Sequence, residues 1–177
     1  MRSGIFNYII ISLLLILFLT KASAEIVLYP VPPGLTTSPD FTVMADNKQV
    51  WVERIGSKLA TFDYNLYGSR EMEDLNVAAF SCTGAVTIMV KANVNIDSFN
   101  IRPESRNIKA TVNGSEITFS INGPQKLYIE INNLPHLAVF ANPLEVNPHK
   151  KGDPGVIYYG PGVHNPGRID LVSNMTM

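Results

Sequence analysis

A chain of 177 residues with 46% hydrophobic and 16% charged side chains has the material for one folded domain and a fragment of a second. Lys+Arg 14 against Asp+Glu 15 gives a formal net charge of -1, and no local basic cluster interrupts that balance, which sets nucleic acid aside as a partner. Cys82 is the single cysteine, so neither a disulfide framework nor a thiolate zinc cage is available, and stability has to come from a hydrophobic core.

Residues 1–24 read as an export signal. Arg2 supplies a positive start, YIIISLLLILFL from Tyr8 to Leu19 is apolar but shorter than the roughly 20 residues that span a bilayer, and Ala22-Ser23-Ala24 offers a small-residue cleavage site before Glu25. The expectation is a secreted, extracellular protein with no membrane association after cleavage.

From Ile26 onward short runs of Val, Ile, Phe and Tyr alternate with Gly, Pro, Asn and Asp, a pattern of strands and turns with almost no helical period. In chain order the runs predict strands at Ile26–Tyr29, Phe41–Ala45, Gln49–Glu53, Val77–Cys82, Ala85–Ala92, Ser98–Arg102, Ile108–Val112, Ser115–Ile121, Lys126–Asn132, Leu137–Ala141 and Gly155–Tyr159. That spacing favours two packed sheets, an all-β sandwich over residues 25–142. In IKATVNGSEITFSI, Asn113-Gly114 suits a two-residue type I′ turn; folding about it sets Ala110 opposite Ile117 and Ile108 opposite Phe119, with Lys109, Thr111, Glu116 and Thr118 on the other face. Arg54 to Leu75 is long for a hairpin connection and reads as a surface excursion. Residues 143–177 read as a linker followed by an apolar segment, Ile169, Leu171 and Val172, in need of further strands to pair with.

The segments YPVPPGLTTSPDFTVMADNKQV, FSCTGAVTIMVKANVNIDSFNIRPESRNIKATVNGSEITFSINGPQKLYIEIN, LAVFANPLE and VIYYGPGVHNPGRIDLVSNMT, in that order, resemble the N-terminal region of secreted polysaccharide hydrolases. These are the right-handed parallel β-helix enzymes of glycoside hydrolase family 49, which includes dextranases, and the related pectinase-like proteins of family 28. The resemblance implies an immunoglobulin-like antiparallel β-sandwich, then the first strand or coil of a parallel β-helix at residues 143–177, with polysaccharide as partner and no cofactor. It also implies that the catalytic aspartates sit on later coils beyond Met177, so that the chain is a truncated, non-catalytic accessory domain. Its C-terminal strand would be covered by a β-helix domain or another chain.

No catalytic or metal-ligating residue is assigned. Glu71, Glu73 and Asp74 form an acidic group without a ligand pattern, and His136, His149 and His164 lack metal-ligand spacing. Trp51, the only Trp, is a candidate for stacking on a sugar ring or for packing in a core; Tyr64 and Tyr67 on the long excursion are further carbohydrate-binding candidates. A free-standing carbohydrate-binding sandwich and a structural interaction module are therefore the alternatives to the accessory domain. Asn113 and Asn174 begin glycosylation sequons that matter only in a eukaryotic host. Cys82 in AAFSCTG reads as a small buried residue rather than a nucleophile.

Overall fold

The computed structural model describes residues 24–55, 74–160, 162–171, 173, 175 and 176. The alternation of apolar residues dictates the architecture. In Val86–Ala92 (β6), Val86, Ile88 and Val90 are buried while Thr87 and Lys91 face solvent, and Gln125–Ile131 (β10) buries Leu127, Ile129 and Ile131 in the same way. Such strands each need a second sheet against their apolar face, and two sheets supply it.

The first sheet holds Ile26–Leu28 (β1), Val52–Ile55 (β4), Leu75–Cys82 (β5), Phe99–Arg102 (β7), β10 and Leu137–Asn142 (β11), in the order β1, β5, β11, β10, β7. β4 pairs with β5 at its start, Val52 opposite Ala78, and β1 pairs with its end, Leu28 opposite Phe80, so two short strands lie end to end along one edge. The second sheet runs β3 (Lys48–Val50), β2 (Phe41–Ala45), β6, β9 (Glu116–Ile121), β8 (Ala110–Asn113). Between the sheets lie Phe80, Ile88, Ile117, Ile121, Ile129, Ile131 and Leu137, all under 2% exposed. Each such side chain contributes roughly 1.5–3 kcal/mol relative to exposure. A short 3-10 turn at Glu104–Arg106 and Asn107, at φ 49°, carry the chain from β7 of one sheet to β8 of the other.

Several expectations need correcting. The sandwich is not wholly antiparallel, because β11 lies parallel to β5, with Ala138 beside Val77 and Phe140 beside Ala79. The run Gln49–Glu53 is two strands: β3 belongs to the second sheet and β4 to the first, and the chain crosses between them at Trp51. The β8–β9 hairpin is shifted by two residues, pairing Val112 with Ile117 and Ala110 with Phe119, because Asn113 is the last strand residue and Gly114-Ser115 make the turn. Only Gly114 has positive φ there, +60°, the signature of type II′ rather than I′. A two-residue slip preserves the face, so Thr111 and Thr118 still point outward. The turn with two positive φ values is instead Asp46-Asn47, at 44° and 63°, between β2 and β3.

Beyond Asn142 the described residues contain no strand. Gly155–Tyr159 does not form one; a single parallel bridge joins Val156 to Thr176, closed by Ile157 N–H to Thr176 O and Thr176 N–H to Gly155 O, both 2.9 Å. Leu171 is 52% exposed. The excursion from Arg54 to Leu75 lies mostly outside the described residues, but its two ends are paired strand, Arg54 opposite Asn76 and Ile55 opposite Leu75.

Candidate functional site

Where β5 and β11 lie side by side, the outer face of the first sheet is apolar, although an exposed sheet face would ordinarily be polar. Alternation along β5 turns Leu75, Val77 and Ala79 outward, and pairing sets Ala138 and Phe140 of β11 beside the last two. Two depressions form on this surface.

The smaller, about 280 Å³, has Val77 and Ala79 as its floor. Its walls are Tyr29, Pro30 and Pro32 from the chain after β1, and Trp51 and Glu53 from the crossing between the sheets. Val50 and Val52 on either side of Trp51 both point into the core, which turns the indole outward; Glu53 stands in pair with Val77 and lines the same hollow. The phenol of Tyr29, 43% exposed, is fixed by a 2.5 Å hydrogen bond between its hydroxyl and Ser81 Oγ. Ala79 lies on β5 between the stretches paired by β4 and by β1, and its small side chain leaves depth between the two rings. Trp51 is half-buried, and its Nε1 is buried with no hydrogen-bond partner among the described residues. The arrangement can hold a flat apolar ring face, with the Glu53 carboxylate at the rim to accept from hydroxyls.

The larger depression, about 730 Å³, lies alongside and is lined chiefly by Leu75, Pro103, Tyr128, Ala138 and Phe140. Lys126 Nζ stands 5.6 Å from the centre of the Phe140 ring, and Tyr128 OH is hydrogen-bonded to His136 Nδ1 at 2.5 Å. Glu130 accepts from Arg102 Nε at 2.8 Å, and that bond holds its carboxyl below the usual range.

One cluster of carboxylates is tied up structurally. Arg54 donates to Asp40 at 2.6 Å through one terminal nitrogen and to Asp74 at 2.6 Å through the other. The hydrogen bond to Asp74, opposed by burial and helped by the charge of Asp40, raises the guanidinium above its ordinary value. Asn76, fully buried, adds hydrogen bonds to Ser38 Oγ, Asp40 and the Pro135 carbonyl. A cation bridging both acids suits a lock between strands better than acid and base work across a glycosidic bond. Among the described residues no group of three His, Cys, Asp or Glu side chains is placed to hold a metal ion.

Of the sequence candidates, Trp51 is in the cradle. Tyr64, Tyr67 and Asn174, together with Glu71 and Glu73, lie outside the described residues. Asn113 is exposed beside its turn. His164 donates from Nε2 to the Gly160 carbonyl at 2.6 Å, and its ring tilts against Tyr159. His149 reaches Asp153 at 3.8 Å. Tyr29, Pro30, Pro32 and Glu53 escaped the sequence reading. The signal for them was present in the proline-flanked YPVPP after a strand, and in the two-residue spacing that puts Glu53 on the face of Trp51.

Cys82 is fully buried at the end of β5, where burial first, and the nearby Asp46 charge second, push its thiol above the ordinary range. The folded protein is therefore expected to react with a thiol-specific disulfide reagent at pH 8 on the order of a hundredfold or more slower than the urea-unfolded chain. Equal rates would mean that the thiol is reachable in the native state.

No family profile matches the chain, and no curated protein matches it. Among solved structures it is similar to Dex49A from Penicillium minioluteum, with 15% identity, a TM-score of 0.49, and coverage of 76% of this chain and 34% of that one. The chain thus spans about a third of the length of that structure.

Proposed function

We propose that this protein is an exported, non-catalytic β-sandwich that engages polysaccharide, the N-terminal accessory domain of a glycoside hydrolase-like protein whose chemistry is carried by a parallel β-helix. The observation that carries the sugar-binding part is the cradle of Trp51, Tyr29 and two prolines on an open sheet face, with Glu53 at its rim. An indole flanked by a phenol offers a sugar ring apolar contact, and one carboxylate gives it direction. The accessory role is supported by the segment order that resembles family 49, by two carboxylates bridged through Arg54 rather than held apart for catalysis, and by a pair of packed β-sheets. The parallel bridge between Val156 and Thr176 is the kind of contact a first β-helix coil makes.

Because Trp51 is the sole Trp, its fluorescence reports on this site alone. Titration with dextran and pectin fragments is expected to change that emission for one of them, and Tyr29→Ala to weaken the binding roughly tenfold, the size of one lost aromatic contact. Silence toward both series at millimolar ligand would exclude a sugar site here. A second reading, a structural interaction module, is favoured by the neighbouring apolar groove of Leu75, Tyr128, Ala138 and Phe140, which has the character of a surface covered by another domain.

A further inference from the structure

A different groove, of about 600 Å³, runs along the opposite sheet where the connection after β7 descends to β8. Its chemistry is the inverse of the aromatic cradle. Arg106 and Lys109 supply two cations, Thr111, Thr118 and Ser120 supply hydroxyls, and Asn122 supplies an amide, while no carboxylate lines it. Both cations are exposed and neither has an ion-pair partner among the described residues, whereas every other Arg described, Arg54, Arg102 and Arg168, is paired with an acid. The hydroxyls are placed by register: Thr111 stands opposite Thr118 across β8 and β9, and Ser120 faces Thr87 across β9 and β6, with their oxygens 3.5 Å apart.

We propose that this groove is a binding site for an anionic polysaccharide, a uronate chain whose carboxylates meet Arg106 and Lys109 and whose hydroxyls meet the Thr, Ser and Asn side chains. Charge complementarity selects an anion, since two cations without an ion-pair partner among the described residues line a groove that has no carboxylate in its lining, on a chain of formal net charge -1. The density of hydroxyl and amide groups selects a sugar polymer over nucleic acid: only two cations are present to neutralise phosphates, and the one aromatic residue at the groove, Phe119, is a core side chain 3% exposed that offers no face for stacking a base. This site is independent of the Trp51 cradle, and its failure leaves that reading untouched.

The test is a titration of the ¹⁵N-labelled purified protein with a galacturonate hexamer at low salt. Its methyl ester serves as the uncharged control, and an oligothymidylate serves as the nucleic-acid control. Shifts are expected at Arg106–Thr111 and Thr118–Asn122, absent with the ester and suppressed by 0.5 M salt. The double variant Arg106→Ser, Lys109→Ser, at exposed positions outside the core, is expected to weaken binding roughly tenfold with the melting temperature unchanged. Thr118→Val separately tests the hydroxyl contacts and is expected to weaken binding a fewfold. Equal binding of the ester, equal or tighter binding of the oligothymidylate, affinity unchanged in the double variant, or no shifts at this groove would each overturn the proposal.

Discussion

Phe80→Ala is expected to lower the stability of the sandwich by about 3–5 kcal/mol, which is a large part of the roughly 5–15 kcal/mol typical of a domain. The ring is fully buried in β5, with Leu28 of β1 on one side and Ala141 of β11 on the other. Ala78 and Ala141 are small, so the space between the sheets at this level is filled by the phenyl group rather than shared with large neighbours, and its removal leaves a cavity that rigid strands cannot close. Urea unfolding followed by circular dichroism measures the loss. Phe80→Leu, which keeps most of the volume, should cost under about 1.5 kcal/mol. A cost below about 1 kcal/mol for the alanine variant would show that the two sheets do not meet at this residue.

Asn76→Ala is the second large effect, expected at about 3 kcal/mol, and its origin is polar rather than apolar. The side chain accepts from Ser38 Oγ at 2.5 Å and donates to the Pro135 carbonyl at 3.0 Å and to Asp40 at 3.3 Å. Truncation takes the acceptor from the Ser38 O–H and the donor from that carbonyl, each costing about 1–3 kcal/mol when left unsatisfied, although Ser38 Oγ still accepts from the Asp40 N–H and Asp40 keeps Arg54. Asn76→Asp should be at least as harmful, because it removes the donor and sets a second negative charge against Asp40. Comparison of the two variants by thermal unfolding separates hydrogen bonding from volume. If Asn76→Asp proved as stable as the native chain, the described network would be wrong.

Much of the sandwich was legible because its strands are half-buried. Val86/Ile88/Val90 and Leu127/Ile129/Ile131 alternate cleanly, and their positions hold to within a residue or two. Register was less so. Slipping the β8–β9 hairpin by two residues keeps every side chain on its face, so hydrophobic pattern cannot tell Ala110 opposite Ile117 from Ala110 opposite Phe119; only turn geometry decides. The split at Trp51 was hidden for a related reason, since Val50 and Val52 are both buried and read as one strand whichever sheets they join. The parallel β5–β11 pairing leaves no local signal at all, because nothing near either strand encodes its neighbour. The aromatic cradle was half legible: a lone Trp stands out, but Tyr29 reaches it only through the packing of β1 along β5.

That β5–β11 ladder also sets the order in which the molecule can be made. Asn76–Ser81 must wait for Leu137–Asn142, about sixty residues later in the chain, before the inner edge of β5 finds its hydrogen bonds, and closing so long a loop is paid in entropy before any contact returns it. On the ribosome, the second sheet's β2, β6, β8 and β9 are all in hand well before β11 emerges, while the first sheet stays open at its middle. Its completion is thus a late, cooperative step with an expected time of milliseconds to seconds, and the incomplete sheet, with Val77, Ala79 and Phe80 along an unpaired edge, is the intermediate most in need of protection while the chain folds.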